Sequence, residues 1–154
     1  MHLKRLGPGD EEEVLNAPHL LDEPADPTVV RNYLADDRNV FLLAIEDDHA
    51  VGFLRGTALS QLKSDRKQMF LYEIGVDLPF RRRGVGSELV RWLIEHSRSG
   101  GFEEIFVFTD PSNDAAVNLY RSTGAVTETS ADRMYVYQLD SMGDGPDPAD
   151  PFNR

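Results

Sequence analysis

The amino-acid sequence predicts an α/β domain built on a mixed α+β sheet, and three stretches carry that prediction. Apolar runs of strand length at residues 40–45, 50–58 and 70–76 follow one another through polar connections, as an antiparallel meander does. The third run passes through a loop with two glycines into an amphipathic helix that ends near Arg98. Residues 103–109 then return as a further strand, and a strand-helix-strand unit implies a parallel pair.

Each element has a local reason. Residues 2–6 alternate weakly and read as an edge strand, ended by Gly7-Pro8-Gly9. Asp10 before Glu11, Glu12 and Glu13 reads as an N-cap with acids in the first turn, where the helix dipole favours them. Pro18, Pro24 and Pro27 break the chain, and Pro27 suits the first position of a second helix capped by Asp26, with Val30, Tyr33 and Leu34 on one face. Residues 46–49 form the hairpin turn of the meander. The polar stretch 59–67 is too long for a tight hairpin and is a candidate wall of an acceptor cleft.

In the helix from Gly84, Val85, Leu89 and Leu93 recur at four-residue steps, Val90 and Ile94 widen the stripe, and Gly100-Gly101 ends it. Ile105, Val107 and Thr109 share one side of the following strand. Asn113 caps a last helix over residues 114–123, closed by Gly124, and residues 125–128 and 134–139 read as two final strands. The domain is expected over residues 1–140, with 141–154 a disordered acidic, proline-rich tail.

Composition bounds the function. A chain of 154 residues is most simply one domain, and with no cysteine it has neither disulfides nor a thiol nucleophile. No stretch approaches a membrane span and the first residues lack the apolar core of a signal peptide, so no membrane association and a cytoplasmic location are expected. The net charge of -11 argues against nucleic acid as partner and favours a cationic one through steering, although acidity also serves solubility. His2, His19, His49 and His96 are scattered without ligand spacing, so no metal is expected.

The chemistry lies in the loop after the third meander strand. The first N–H groups of a helix lack intrahelical acceptors and carry partial positive charge, so a strand, a glycine loop and a helix start make an anion site. No Lys-Ser or Lys-Thr follows Gly86, which excludes a Walker loop, and only Gly84 and Gly86 are present where a dinucleotide fingerprint needs three glycines. For the hexapeptide alone, a basic turn that caps a helix and binds nothing is the competing reading.

Arg81-x-x-Gly84-x-Gly86 resembles the pyrophosphate loop of the GNAT superfamily of acetyl-CoA-dependent N-acetyltransferases. Asn113-x-x-Ala116-x-x-Leu119-Tyr120-x-x-x-Gly124 is similar to a second signature of that family. Together with the element order, the resemblance covers about residues 3–139. It implies the GNAT fold, with six to seven strands, about four helices and a splayed central strand pair, and acetyl-CoA as cosubstrate.

The resemblance also implies roles. The main chain of Ile74, Gly75 and Val76 would pair with the pantetheine arm. The loop of Arg81, Arg82, Arg83, Gly84, Val85, Gly86 and Ser87 would bind the cofactor, with the N–H groups of Arg83 to Gly86 holding the diphosphate ahead of any one guanidinium. Asn113 and Ala116 would also contact the cofactor. Tyr120 would be the general acid that protonates the departing thiolate, a phenol near ~10 meeting a thiol near ~8.5. Glu73 is the candidate proton acceptor for the amine.

Tyr72, Glu73, Asp110, Asn113 and Asp114 resemble the acceptor site of the aminoglycoside 3-N-acetyltransferase branch, whose Tyr-Asp pair becomes Tyr72-Glu73 here. Asn113 replaces one acid of that branch's cluster, and the segment 127–133 is longer. The expected partner is thus a small cationic amine, an aminoglycoside first. A polyamine, a protein N-terminal or lysine amine, or a non-catalytic acetyl-CoA-binding module are the alternatives, and a homodimer follows from family habit alone.

Overall fold

A computed structural model describes residues 1–127 together with Tyr135 and Tyr137. The expected final strand at 134–139 lies almost wholly outside the described residues, as does the tail at 141–154. Residues 125–127 are described and are not in a strand.

Among the described residues, five strands form one sheet in the order β1 (His2–Leu6), β2 (Asn39–Glu46), β3 (His49–Ser60), β4 (Lys67–Val76), β5 (Glu104–Phe106). The pairs from β1 to β4 are antiparallel and β4 with β5 is parallel, so the mixed α/β class and the meander are as the sequence predicts. The described residues also form the helices α1 (Glu11–Leu15), α2 (Pro27–Ala35), α3 (Val85–Ser99) and α4 (Asp114–Ser122). None of the described helices is long and apolar enough to cross a membrane.

Strand alternation splits the core between the two faces of the sheet. Val40, Leu42, Ala44, Val51 and Leu54 point to one face and meet Val85, Leu89, Val90 and Leu93 of α3. Phe41, Leu43, Ile45 and Phe53 point to the other and meet Val14 of α1 with Val30 and Leu34 of α2. The β2–β3 hairpin turns through Asp47 and Asp48 at φ 50° and 60°, the left-handed pair that a two-residue turn requires.

Asp26 caps α2 as expected, its Oδ1 accepting from Thr28 N at 2.8 Å and Val29 N at 3.0 Å. Asp10 does not cap α1 with its side chain. Its carboxylate instead accepts from Gly7 N at 2.9 Å and pairs with Lys4 Nζ at 3.1 Å. The nearby ammonium and the turn's own N–H outcompete the helix start.

One irregularity shapes the centre. Arg55 pairs with Glu73 and Gly56 with Leu71, leaving Tyr72 as an extra residue in β4. A bulge of this kind bends its strand and resets the alternation. Leu71, Ile74 and Val76 consequently all pack on the α3 side. Pairing to β5 covers Gln68, Met69 and Phe70, so among the described residues β4 runs on for six more with β3 alone alongside. This is the expected splay, and it shortens β5 from the predicted 103–109 to three residues.

Candidate functional site

The loop from β4 to α3 combines two local devices. Leu78–Phe80 makes a 3-10 turn, and the chain then passes through left-handed geometry at Arg82 (φ 60°) and Gly84 (φ 86°) before α3 begins. A glycine is the residue that adopts this geometry without strain. Gly86 serves a different need, because a Cβ there would lie 3.3 Å from Leu119 Cδ2 and 3.8 Å from Val76 Cγ2. Its bareness lets α4 settle against the first turn of α3.

Among the described residues, the backbone N–H groups of residues 82–87 make no close hydrogen bond, whereas Arg81 N donates to Leu78 O and Glu88 N to Gly84 O. A run of unsatisfied N–H groups at the positive end of a 15-residue helix is suited to an oxyanion.

The arginines divide their work. Arg81 Nε donates to Val76 O at 2.9 Å, so that carbonyl, expected to face the cofactor, is held by the loop. Arg83 pairs with Glu46 at 2.7 Å and lies over the Phe80 ring at 5.0 Å, tying the loop to the β2–β3 hairpin. Arg82 is exposed.

Along β4, Ile74, Gly75 and Val76 are partly buried beyond the last β5 pairing. A Cβ at Gly75 would sit 2.6 Å from Phe53 Cε1, so this backbone rests directly on an aromatic ring. The bulge brings Tyr72 and Glu73 to one neighbourhood: Arg55 Nε donates to Glu73 Oε2 at 2.6 Å, and its guanidinium carbon stands 4.3 Å from the Tyr72 ring centre. Phe70, Phe106 and Phe108 extend this aromatic surface, with Phe70 and Phe106 stacked at 5.0 Å.

On α4, Asn113 Oδ1 accepts from Ala116 N at 3.1 Å, the capping role expected by default. Leu119 and Tyr120 pack onto the α3 core, and burial pushes the Tyr120 phenol above its ordinary value. Asp110 is engaged locally, accepting from Ser112 N and Oγ at 2.7 Å each. The Ser112 backbone bond, then its hydroxyl, lower the pKa of that carboxyl. Asp114 is exposed at the start of the helix.

The sequence profile of the acetyltransferase (GNAT) family matches residues 11–125. The chain belongs to this family. It is 38% identical over 106 residues to the N-alpha-acetyltransferase RimI of Mycobacterium tuberculosis, covering 67% of this chain and 62% of that protein. N-acetyltransferase family 8 member 3 of Mus musculus is 28% identical over 127 residues, 82% of this chain and 54% of its own length. The chain thus spans little more than half of the curated mouse relative. Among solved structures, an aminoglycoside acetyltransferase from an uncultured soil metagenomic sample, in complex with sisomicin, superposes with a TM-score of 0.81 at 24% identity. It covers 90% of this chain and 96% of its own, a likeness of fold.

The sequence reading of this GNAT chain missed Arg55, the one partner of Glu73 among the described residues. A signal was present, since Arg55 is the lone charge in the apolar run 51–58.

Proposed function

We propose that the chain is an acetyl-CoA-dependent N-acetyltransferase working by direct transfer in a ternary complex, with an aminoglycoside amine as favoured acceptor and its 3-amino group as the position modified. The carrying observation is the run of N–H groups at residues 82–87 without a described acceptor, set beside the part of β4 that β5 does not pair. That arrangement fits an extended ligand with a diphosphate at one end and peptide-like amides along its length.

In this reading the N–H groups of Arg82, Arg83, Gly84, Val85, Gly86 and Ser87 hold the diphosphate, Arg81 braces the loop, and Asn113 and Ala116 line the arm. Bound acetyl-CoA supplies the acetyl group as a thioester. Glu73 takes a proton from the acceptor amine, directly or through water, as the nitrogen bonds to the acetyl carbon. Tyr120 gives its hydroxyl proton to the sulfur as the carbon–sulfur bond breaks, and regains one from solvent. One proton leaves the amine and one arrives at sulfur, so the transfer balances.

Tyr72, Glu73, Asp110, Asn113 and Asp114 are assigned to the acceptor. The net charge of -11 supports a cationic one, as does the likeness of fold to an aminoglycoside acetyltransferase. A second reading, acetylation of a protein α-amine, is favoured by the 38% identity to an N-alpha-acetyltransferase.

Purified protein with acetyl-CoA and either sisomicin, spermidine or an alanine-initiated peptide separates these readings by coenzyme A release and product mass. Sisomicin is expected to stimulate release and to gain one acetyl group. Stimulation by the peptide or spermidine alone would transfer the proposal to that acceptor. Tight acetyl-CoA binding with no stimulated turnover across a wider amine panel would point to a non-catalytic module.

A further inference from the structure

We propose that Arg55 is a positioning residue that aims the Glu73 carboxylate at the acceptor amine, an inference that rests on the reading of Glu73 as proton acceptor. Arg55 and Glu73 are Cα partners across β3 and β4, immediately beside the bulge at Tyr72. The contact is one-sided. Arg55 Nε donates to Glu73 Oε2 at 2.6 Å, while Glu73 Oε1 has no partner among the described residues. One carboxylate oxygen is therefore pinned and the other left open.

The guanidinium is itself held in place. Its central carbon lies 4.3 Å from the Tyr72 ring centre and 6.0 Å from that of Tyr33, a cation within reach of two aromatic rings. Tyr33 is anchored in turn, its hydroxyl lying 3.2 Å from Gly56 O and 3.3 Å from Val40 O, with Tyr33 O accepting from Asn39 Nδ2 at 3.1 Å. Asn39 Oδ1 accepts from Thr57 Oγ1 at 2.9 Å, which closes the chain of contacts back onto β3. Such support is what holds a reacting group to the narrow geometry that proton transfer needs.

Pinning by Nε of a guanidinium that itself rests on the Tyr72 ring holds Oε2 more firmly than a terminal amino group at the end of a free stem would. Lysine has no equivalent, being a point charge without a planar fork. The competing role for the pair is plain cross-strand bridging, in which case chemistry would not depend on it.

Arg55→Met, Arg55→Lys, Glu73→Gln and the Arg55→Met/Glu73→Gln double variant decide between these, assayed with acetyl-CoA and sisomicin, spermidine or the alanine-initiated peptide. Arg55→Met is expected to lower kcat by about 10- to 100-fold with the KM for acetyl-CoA within about 2-fold of native. Arg55→Lys should recover little of that loss. The double variant should be no slower than Glu73→Gln alone, as for two residues that act as a unit. Losses that multiply, or an Arg55→Met protein as fast as native beside a slow Glu73→Gln, would overturn the positioning role and leave Glu73 in place. Native speed in Glu73→Gln would overturn both. Arg55 Nε–H exchange, read by NMR without any acceptor, gives a second measurement. Slow exchange in the native protein that is lost in Glu73→Gln supports the contact, and fast exchange in the native protein contradicts it.

Discussion

Tyr120→Phe is expected to lower kcat by about 100-fold or more while leaving the KM for acetyl-CoA nearly unchanged, the size of effect a lost general acid produces. The substitution removes one hydroxyl and keeps the ring that packs onto the α3 core, so the fold should persist. Burial pushes the Tyr120 phenol upward because the charged phenolate is the form that loses hydration. A raised phenol pKa keeps the proton on Tyr120 throughout the neutral range, so the alkaline fall in native activity should be centred above about pH 10, the ordinary phenol value. A fall centred near neutrality, or a Tyr120→Phe enzyme of native kcat, would assign the proton to another donor.

Gly86→Asp is expected to weaken acetyl-CoA binding by about 100-fold or more, roughly 2.7 kcal/mol, because it puts a negative charge on the helix turn whose N–H groups are assigned to a diphosphate, and like charges at close range cost several kcal/mol. Packing contributes separately, since any Cβ there comes to 3.3 Å from Leu119 Cδ2. Gly86→Ala isolates that part, and it should bind within a few-fold of native, because the contact is with the end of a flexible side chain. Calorimetric titration of both variants, each checked for a native-like melting transition, reads the difference. Equal affinity for the aspartate and alanine variants would remove the diphosphate from this loop.

The fold was legible wherever local pattern and tertiary packing agree. The apolar stripe of Val85, Leu89, Val90 and Leu93 is the buried face of α3, and Asp26-Pro27 starts α2, each as its spacing predicts. What local pattern does not carry is competition between neighbours in space. Asp10 sits at a cap position, but Lys4 and Gly7 reach its carboxylate first.

The bulge at Tyr72 leaves no mark in composition, because β4 reads as an unbroken strand. Yet it turns Tyr72 and Glu73 toward Arg55, just past the last residue that pairs with β5. The candidate site follows the same division. The glycine loop and the capping role of Asn113 were readable from spacing. The partner of Glu73 was not, since it comes from another strand, 18 residues earlier in the chain.

The central claim is that the backbone at the head of α3 grips a diphosphate and so lays a thioester along β4. Titration of the 15N-labelled protein with acetyl-CoA, following the amide signals, tests it most directly. Saturable shifts concentrated in residues 82–87 and 71–76 are expected. An absence of shifts at millimolar acetyl-CoA, or saturable shifts confined to other parts of the sheet, would contradict it.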